Sequence, residues 1–398
     1  MSQDELRSLL SDRSAAGTPE SRIVRVMSER GTLSAAKIAT ITGMARSTVS
    51  TALVGLRRSG IIVEMQNGDA GKSVGRPAVT LALNSEAGTC VGIHVGLEDI
   101  RVIVADVSHS VISEKKENLE RDYTPARAAE VAKRMIDTSY AENSLRSSAL
   151  LGVGISISGP VSPGGDVQRA SMVPTWAGIN IRQVFEPVLQ RPIFAGNESN
   201  CAAIAEMMWG AAVGCEDFVL FKIDKGVGGA IVHRGQVMTG VAGGAGEFGH
   251  MTIDPDGDLC RCGNRGCLEI YASFVRPLAV ADRLHGRKMS MDDVILLAKQ
   301  GDVGSRRLIE DTAQIAGRGL GMIGAILNPP LIVIGGRMAL AGSIILEPLI
   351  ESYERHTLIK LRDQPEAMRT RITIGHFTEN DSLMGAVGLV LRHHGRLG

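Results

Sequence analysis

Apolar residues recur at helical spacing in three short segments near the start of the chain. The first begins at Thr18-Pro19, where Thr is a typical N-cap residue and Pro a typical first helical residue. The second begins near Ser34, which can cap it, and the third extends from Arg46 to Ser59. Two short extended stretches follow, Ile61 to Met65 and Val79 to Leu83. Three helices followed by a hairpin predict a winged helix-turn-helix domain.

From Cys90 onward the pattern changes to apolar strands that alternate with amphipathic helices, which is typical of an α/β domain. Cys90 to Gly96 followed by Ile100 to Val107 predicts one hairpin, and Phe218 to Lys222 followed by Gly229 to His233 predicts a second. Two halves that each begin with a hairpin indicate an internal duplication, with a cleft between two lobes. A last helix, Leu383 to Arg392, is expected to pack on the first lobe.

These patterns divide the 398 residues into four predicted parts. Residues 1–18 form a flexible tail, and residues 19–84 form the winged helix-turn-helix domain. The first α/β lobe comprises residues 85–197 together with a C-terminal helix at about 380–398. The second lobe comprises residues 198–379 and contains a cysteine-rich loop.

Charge is balanced over the whole chain, with 43 Lys plus Arg against 43 Asp plus Glu. Residues 19–83 differ, because they contain nine Lys or Arg and four Asp or Glu, a local net charge of +5. In a helix-turn-helix the second of the two helices enters the major groove of DNA, and here that helix is the third predicted one, from Arg46 to Ser59. An Arg at the wing tip suits the minor groove. The predicted DNA-binding residues are Arg46, Ser47, Thr48, Ser50, Thr51, Arg57 and Arg76. The alternative is a solvated helical module that contacts other proteins.

Cysteine usage points to a metal centre rather than to disulfide bonds. Six cysteines are too few for a disulfide framework in a chain of this length, yet three of them lie within eight positions. Together with a nearby histidine they give the spacing H-x9-C-x-C-x4-C, which suits tetrahedral structural Zn²⁺. The predicted ligands are His250, Cys260, Cys262 and Cys267. The alternative is a set of reduced thiols without a ligand.

Neither a signal peptide nor an apolar run of about 18 residues is evident in the sequence, so we expect a cytoplasmic protein that does not contact the membrane.

Two further motifs are less specific. Asn197-Glu198 lies where a strand meets a helix, so its side chains suit either sugar hydroxyls or the capping of that helix, and both interpretations stay open. Lys225 to Gly229 and Ile334 to Gly336 are glycine-rich, and such turns can bind phosphate through backbone N–H groups.

The stretch Gly246 to His250 followed by Cys260 to Glu269 resembles the zinc and sugar signature of the ROK family of repressors and sugar kinases. The resemblance implies a two-lobed actin-like or ribonuclease-H-like ATPase fold, preceded in the repressor branch by a winged helix. It also implies that His250 binds zinc through one ring nitrogen and sugar through the other. The sugar-binding residues that it implies are Gly159, Asn197, Glu198, Glu247, His250 and Glu269.

Several positions depart from the pattern of the family's kinases. The kinases have an Asp-x-Gly-x-Thr phosphate loop where this chain has His94, Gly96 and Glu98, and Lys225 replaces a Thr of the second phosphate loop. Glu198 replaces the catalytic Asp, and a shift of the carboxylate by about 1 Å is costly in phosphoryl transfer. We therefore predict that the chain is not an enzyme.

The sequence thus predicts a sugar-responsive DNA-binding transcriptional regulator, with a repressor as the expected form. Its expected partners are a two-half-site DNA operator, a sugar effector and further copies of itself in a homodimer or homotetramer. The alternative from another class is an ATP-dependent sugar kinase, with Glu198 as the base and Lys225 on the phosphate. A third interpretation is a regulator whose sugar pocket no longer binds a ligand.

Overall fold

The computed structural model describes most of the chain, namely residues 6, 8–9, 17–65, 80–168 and 172–393. Most of the predicted tail lies outside these residues. The tip of the predicted wing, including Arg76, also lies outside them.

Within residues 17–65 and 80–84, the structure has three helices and a small sheet. Its elements are α1 (Pro19–Arg30), β1 (Leu33–Ser34), α2 (Ala35–Thr42), α3 (Arg46–Arg58), β2 (Ile62–Met65) and β3 (Thr80–Leu83). The strand order is β1-β3-β2, and both pairs are antiparallel. As the sequence predicts, the side chains of Thr18 and Ser34 cap α1 and α2 by accepting backbone N–H groups. The apolar sides of the helices, including Ile23 and Leu53, are buried.

A five-stranded mixed sheet follows. Its elements are β4 (Thr89–Val95), β5 (Asp99–Asp106), β6 (Val111–Asn118), α4 (Pro125–Glu142), β7 (Leu150–Ile157), α5 (Ile181–Leu189), β8 (Ile193–Asn197) and α6 (Glu198–Trp209). The order is β6-β5-β4-β7-β8, with β4, β7 and β8 parallel. The last helix, α12 (Asp381–His393), packs on this sheet, because a Cβ at Gly154 would lie 1.8 Å from the carbonyl oxygen of Ala386.

A second five-stranded sheet is formed by the rest of the chain. Its elements are β9 (Phe218–Ile223), β10 (Val227–His233), β11 (Gln236–Met238), α7 (Leu268–Ala272), α8 (Val275–His285), α9 (Met291–Lys299), α10 (Val303–Leu327), β12 (Leu331–Gly335), α11 (Ser343–His356) and β13 (Arg371–Ile374). The order is β11-β10-β9-β12-β13, with β9, β12 and β13 parallel. Helices α10 and α11 meet closely at Gly317, where a Cβ would lie 2.4 Å from the carbonyl oxygen of Leu349.

The chain divides into two compact units. The first unit comprises Met1–Cys201 and Ser382–Gly398, and the second comprises Ala202–Asp381. Each unit contains one of the five-stranded sheets, so both predicted hairpins are present. The second hairpin strand starts at Val227 rather than Gly229, because Gly228 and Gly229 pair with β9.

Some elements follow no clear apolar pattern. Strand β6 lies at the edge of its sheet, and its residues are half-buried or exposed, several of them charged. It therefore lacks the apolar pattern by which a strand is predicted from sequence. Among the described residues, no helix combines the length and the apolar character that crossing a membrane requires.

Candidate functional site

The predicted metal ligands come together in the second unit. One potential ligand atom from each of His250, Cys260, Cys262 and Cys267 lies within 4.8 Å of the other three. The Sγ of Cys260 is 3.6 Å from Nδ1 of His250, and the Sγ atoms of Cys262 and Cys267 are 3.7 Å apart. Cys260 and Cys267 are buried, whereas Cys262 is exposed.

The loop that carries these ligands is folded tightly by its backbone. The N–H of Cys260 donates to the carbonyl of Asn264, and the N–H of Gly266 donates to the carbonyl of Asp258. Gly266 has φ +60°, and a Cβ there would lie 1.5 Å from a backbone oxygen of Asp254, so only glycine fits. This turn returns the chain to Cys267, the residue before α7.

The donor set fits a metal ion. Three thiols can lose their protons to become thiolate ligands, and a neutral imidazole offers the lone pair of one ring nitrogen, so four such ligands complete a tetrahedral shell. Burial lowers the pKa of His250, which favours the neutral imidazole that a metal requires. The cluster could therefore hold a metal ion.

Two carboxylates lie beside this loop, as the sequence predicts. Burial raises the pKa of Glu247 to about 7, an effect that Arg261 opposes and Glu269 increases. Glu269 accepts hydrogen bonds from Nε of Arg261 at 2.9 Å and from the backbone N–H of Val227 at 3.2 Å. Arg261 is a residue that sequence reasoning missed, although its position between two cysteine ligands was a signal that it would face the same loop.

The predicted sugar-binding residues of the first unit form a second polar group. The amide nitrogen of Asn197 donates to the carbonyl of Gly159 at 2.8 Å, and its amide oxygen accepts the N–H groups of Ser199 and Asn200. Asn197 therefore caps α6, which is one of the two interpretations left open by the sequence. The amide nitrogen of Asn197 retains a second N–H beyond its bond to Gly159.

Glu198 follows directly and is oriented by a neighbour. The hydroxyl of Ser158 donates to Oε2 of Glu198 at 2.5 Å. Ser158 precedes Gly159 and is a second residue that the sequence analysis did not single out.

The segment that the sequence analysis compares with the kinase phosphate loop lies in the first unit and contacts neighbouring residues. Nδ1 of His94 lies 3.1 Å from the hydroxyl of Ser156, and the carboxylate of Glu98 pairs with Arg121 at 3.2 Å. The N–H of Gly96 donates to a carbonyl three residues later at 2.9 Å. These three residues therefore form contacts with other residues of the first unit.

The predicted DNA-binding helix presents its polar side to solvent. Helix α3 buries four apolar or small residues, whereas six of the predicted DNA-binding residues are exposed: Arg46, Ser47, Thr48, Ser50, Thr51 and Arg57. Arg57 forms an ion pair with Glu64 of β2 at 2.8 Å. Arg57 is therefore less available to a partner than Arg46, which stands at the start of the helix.

The chain belongs to the ROK family, because the model of that family matches residues 90–393. The predicted family is therefore confirmed. The xylose repressor of Bacillus subtilis is 28% identical over 363 residues, which are 91% of each chain. A glucokinase of Halalkalibacterium halodurans is 32% identical over 207 residues, which cover 48% of this chain and 62% of the glucokinase.

The fold is also that of solved ROK proteins. A ROK family transcriptional regulator, described as a homologue of the Escherichia coli Mlc protein, superposes with a TM-score of 0.72 at 23% identity. The superposition covers 94% of this chain and 98% of that regulator. This confirms the predicted α/β fold with an N-terminal helical domain.

Proposed function

We propose that this protein is a sugar-responsive, DNA-binding transcriptional regulator that acts as a repressor. The observation that carries the proposal is the exposed polar side of α3 within a three-helix domain joined to the ROK fold. The match to the xylose repressor supports it, because it extends over nine-tenths of both chains, whereas the glucokinase match covers about half of this one.

Helix α3 is proposed to enter the major groove with its N-terminal end, where Arg46 is the first residue. Its first turn has no side-chain cap, since Ala45 occupies the N-cap position. The uncapped N–H groups at the start of the helix are therefore available to a DNA phosphate. The hydroxyls of Ser47, Thr48 and Ser50 would then face phosphates or base edges.

Zn²⁺ is the proposed metal of the Cys/His cluster, because a closed set of three thiolates and one imidazole is typical of structural zinc. His250, Cys260, Cys262 and Cys267 would hold it. When bound, zinc would supply a rigid cross-link within the loop and no reaction step. His250, bonded through one nitrogen, would keep its other nitrogen for a sugar hydroxyl.

The proposed sugar-binding residues are those that the family resemblance implies, and each unit is considered by itself. In the second unit the set is Glu247, His250 and Glu269, whose carboxylates and imidazole can bond neighbouring hydroxyls. In the first unit the proposed set is Gly159, Asn197 and Glu198.

The response requires a modest coupling free energy between the sugar and DNA sites. A tenfold to hundredfold change in DNA affinity corresponds to about 1.4 to 2.7 kcal/mol of difference in sugar binding between two states. A homodimer or homotetramer is proposed, because a two-fold operator is matched by a two-fold protein.

The test is selection of bound duplexes from a random DNA library by the full-length protein, followed by measurement of the affinity for the selected sequence. Arg46→Ala is expected to weaken binding by about tenfold or more, since one good base or phosphate contact contributes about 1–3 kcal/mol. Arg283→Ala changes an exposed arginine of α8 and is the matched control. Failure to enrich any sequence, or equal affinity of both variants, would contradict the proposed DNA surface.

A sugar kinase is the alternative, and the similarity to a glucokinase is the observation that favours it. ATP-dependent phosphorylation of a hexose or amino sugar, abolished by Glu198→Gln, would establish it. We expect no phosphorylation above background.

A further inference from the structure

Two glycine-rich turns of the second unit leave neighbouring strands at the same edge of the sheet. Strands β9 and β12 are parallel, and Gly335 pairs with Lys222. Gly336 has φ +80°, and a Cβ there would lie 2.6 Å from the carbonyl oxygen of Ile223. The turns after the two strands are therefore in close contact. The carboxyl edge of such strands is where α/β proteins commonly bind ligands.

The carboxylate of Asp224 bridges these turns. Its Oδ1 accepts the backbone N–H of Lys225 at 2.7 Å, and its Oδ2 accepts the backbone N–H of Arg337 at 3.2 Å. The backbone of Asp224 is fixed as well, because its N–H donates to Gly226 and its carbonyl accepts the N–H of Phe274. One residue thus presents a negative group to N–H donors of both turns.

The carboxylate of Glu269 accepts another backbone N–H of the turn that follows β9. Oε2 of Glu269 accepts the N–H of Val227, and a Cβ at Gly226 would lie 2.8 Å from that oxygen. The guanidinium of Arg337 is already bonded to the carboxylate of Asp292 and lies 3.5 Å from Glu379. The guanidinium of Arg337 and the backbone N–H groups of Lys225, Val227 and Arg337 are thus paired within the chain.

Backbone N–H groups of successive turn residues form a natural site for an anion such as phosphate. We propose that the carboxylate of Asp224 fills that position as a built-in anion and holds the two turns together without a nucleotide. A phosphate would have to displace Asp224 from its donors and would meet the negative charge of a second carboxylate. This inference does not depend on the proposed DNA or sugar binding.

The test is chemical rescue in the full-length, zinc-loaded protein. Asp224→Ala removes the carboxylate, so we expect a lower Tm than that of the unaltered protein. Inorganic phosphate is then expected to raise the Tm of this variant by several degrees in a saturable manner, relative to chloride at equal ionic strength. The unaltered protein and Asp363→Ala, which changes an exposed aspartate of the same unit, should show no saturable rise.

Asp224→Asn provides a second variant that keeps the size of the side chain. Its amide oxygen accepts one N–H while its NH₂ group faces the other donor, so we expect a lowered Tm without rescue, since the position stays filled. The proposal would be overturned if phosphate failed to stabilise Asp224→Ala, or stabilised the unaltered protein equally. It would also be overturned if Asp224→Asn matched the unaltered protein in Tm. Should Asp224→Ala not fold, the Tm of Asp224→Asn still decides.

Discussion

The Cys/His loop and the glycine-rich turns satisfy their polar groups in opposite ways, although both belong to the second unit. In the Cys/His loop, four potential ligand atoms converge within 4.8 Å, and none brings a positive charge. At the glycine-rich turns, carboxylates of the chain itself accept the backbone N–H groups, and the carboxylate of Asp224 accepts two of these N–H groups. Four convergent metal-ligand atoms could hold an added cation, whereas the N–H donors named at the glycine-rich turns already have acceptors within the chain.

This difference separates a cluster that could hold a metal ion from turns that we propose are closed by the chain's own residues. Both regions contain motifs shared with ligand-binding proteins, and the motifs alone do not distinguish them. The two regions are distinguished by whether each polar atom already has a partner within the chain.

Loss of the metal should have the largest effect. Binding of structural zinc contributes on the order of 10 kcal/mol to the folding of small metal sites. Cys262→Ser, or removal of metal by a chelator, is therefore expected to abolish stoichiometric zinc and to lower the Tm by many degrees. Elemental analysis and a thermal melt measure both effects.

Cys215→Ser is the matched control for that variant, because Cys215 is half-buried and lies outside the cluster. It should retain the full zinc content. An unchanged zinc content or Tm in Cys262→Ser would show that the four residues do not act as one metal site.

Breaking the buried ion pair between Lys222 and Asp381 should have the second-largest effect on stability. Their charged atoms are 2.8 Å apart, and each side chain is only 7% exposed. Removing one partner of a buried pair typically costs about 3–5 kcal/mol. Lys222→Met should therefore lower the free energy of unfolding by about that amount in urea, and the double variant Lys222→Met with Asp381→Asn should recover part of it. Lys299→Met, an exposed change in α9, should be close to neutral.

Glu269 should contribute to sugar binding by a smaller amount. A hydrogen bond to a charged group contributes about 1.5–3 kcal/mol, so Glu269→Gln should weaken sugar binding by roughly 10- to 100-fold. Calorimetry with the sugar that binds the unaltered protein measures this loss. Glu351→Gln, an exposed change in α11, should bind sugar normally. Equal affinity in both variants would remove Glu269 from the proposed sugar contacts.

The smallest effect is expected for Arg337, which is partly exposed and pairs with Asp292. Exposed ion pairs contribute about 0–1 kcal/mol. Arg337→Ala should therefore change the urea midpoint only slightly, since the backbone N–H that bonds Asp224 is retained. A loss comparable to that of Lys222→Met would show that the side chain of Arg337, rather than the carboxylate of Asp224, holds the turns together.

Local features of the fold could be predicted from the sequence. The caps Thr18 and Ser34 depend on residues that are neighbours in the chain, and the cysteine spacing determines the ligand set almost alone. The contact between Asp224 and Arg337 joins residues 113 positions apart, so it depends on which strands become neighbours. Strand β6 was missed because an exposed edge strand needs no apolar alternation.

The proposed sugar site shows the same limit. Family resemblance identified Glu247 and Glu269, but not Arg261, which pairs with Glu269. The hydrogen bonding of the Asn197 amide also depends on Gly159, 38 positions earlier, whose carbonyl the folded chain brings within reach. Sequence spacing predicts which residue types are present, whereas tertiary contacts determine which of their atoms remain available.

We propose that a sugar, and not ATP, controls the affinity of this protein for DNA. The most direct measurement is a fluorescence-anisotropy titration of the selected DNA duplex with full-length, zinc-loaded protein. Sugars such as D-xylose, glucose and N-acetylglucosamine, and Mg²⁺-ATP, are added in separate arms. We predict that one sugar changes the Kd for DNA by at least about tenfold, a coupling of about 1.4 kcal/mol, and that Mg²⁺-ATP has no effect. A Kd that no sugar changes, together with release of ADP when sugar and ATP are combined, would contradict the account.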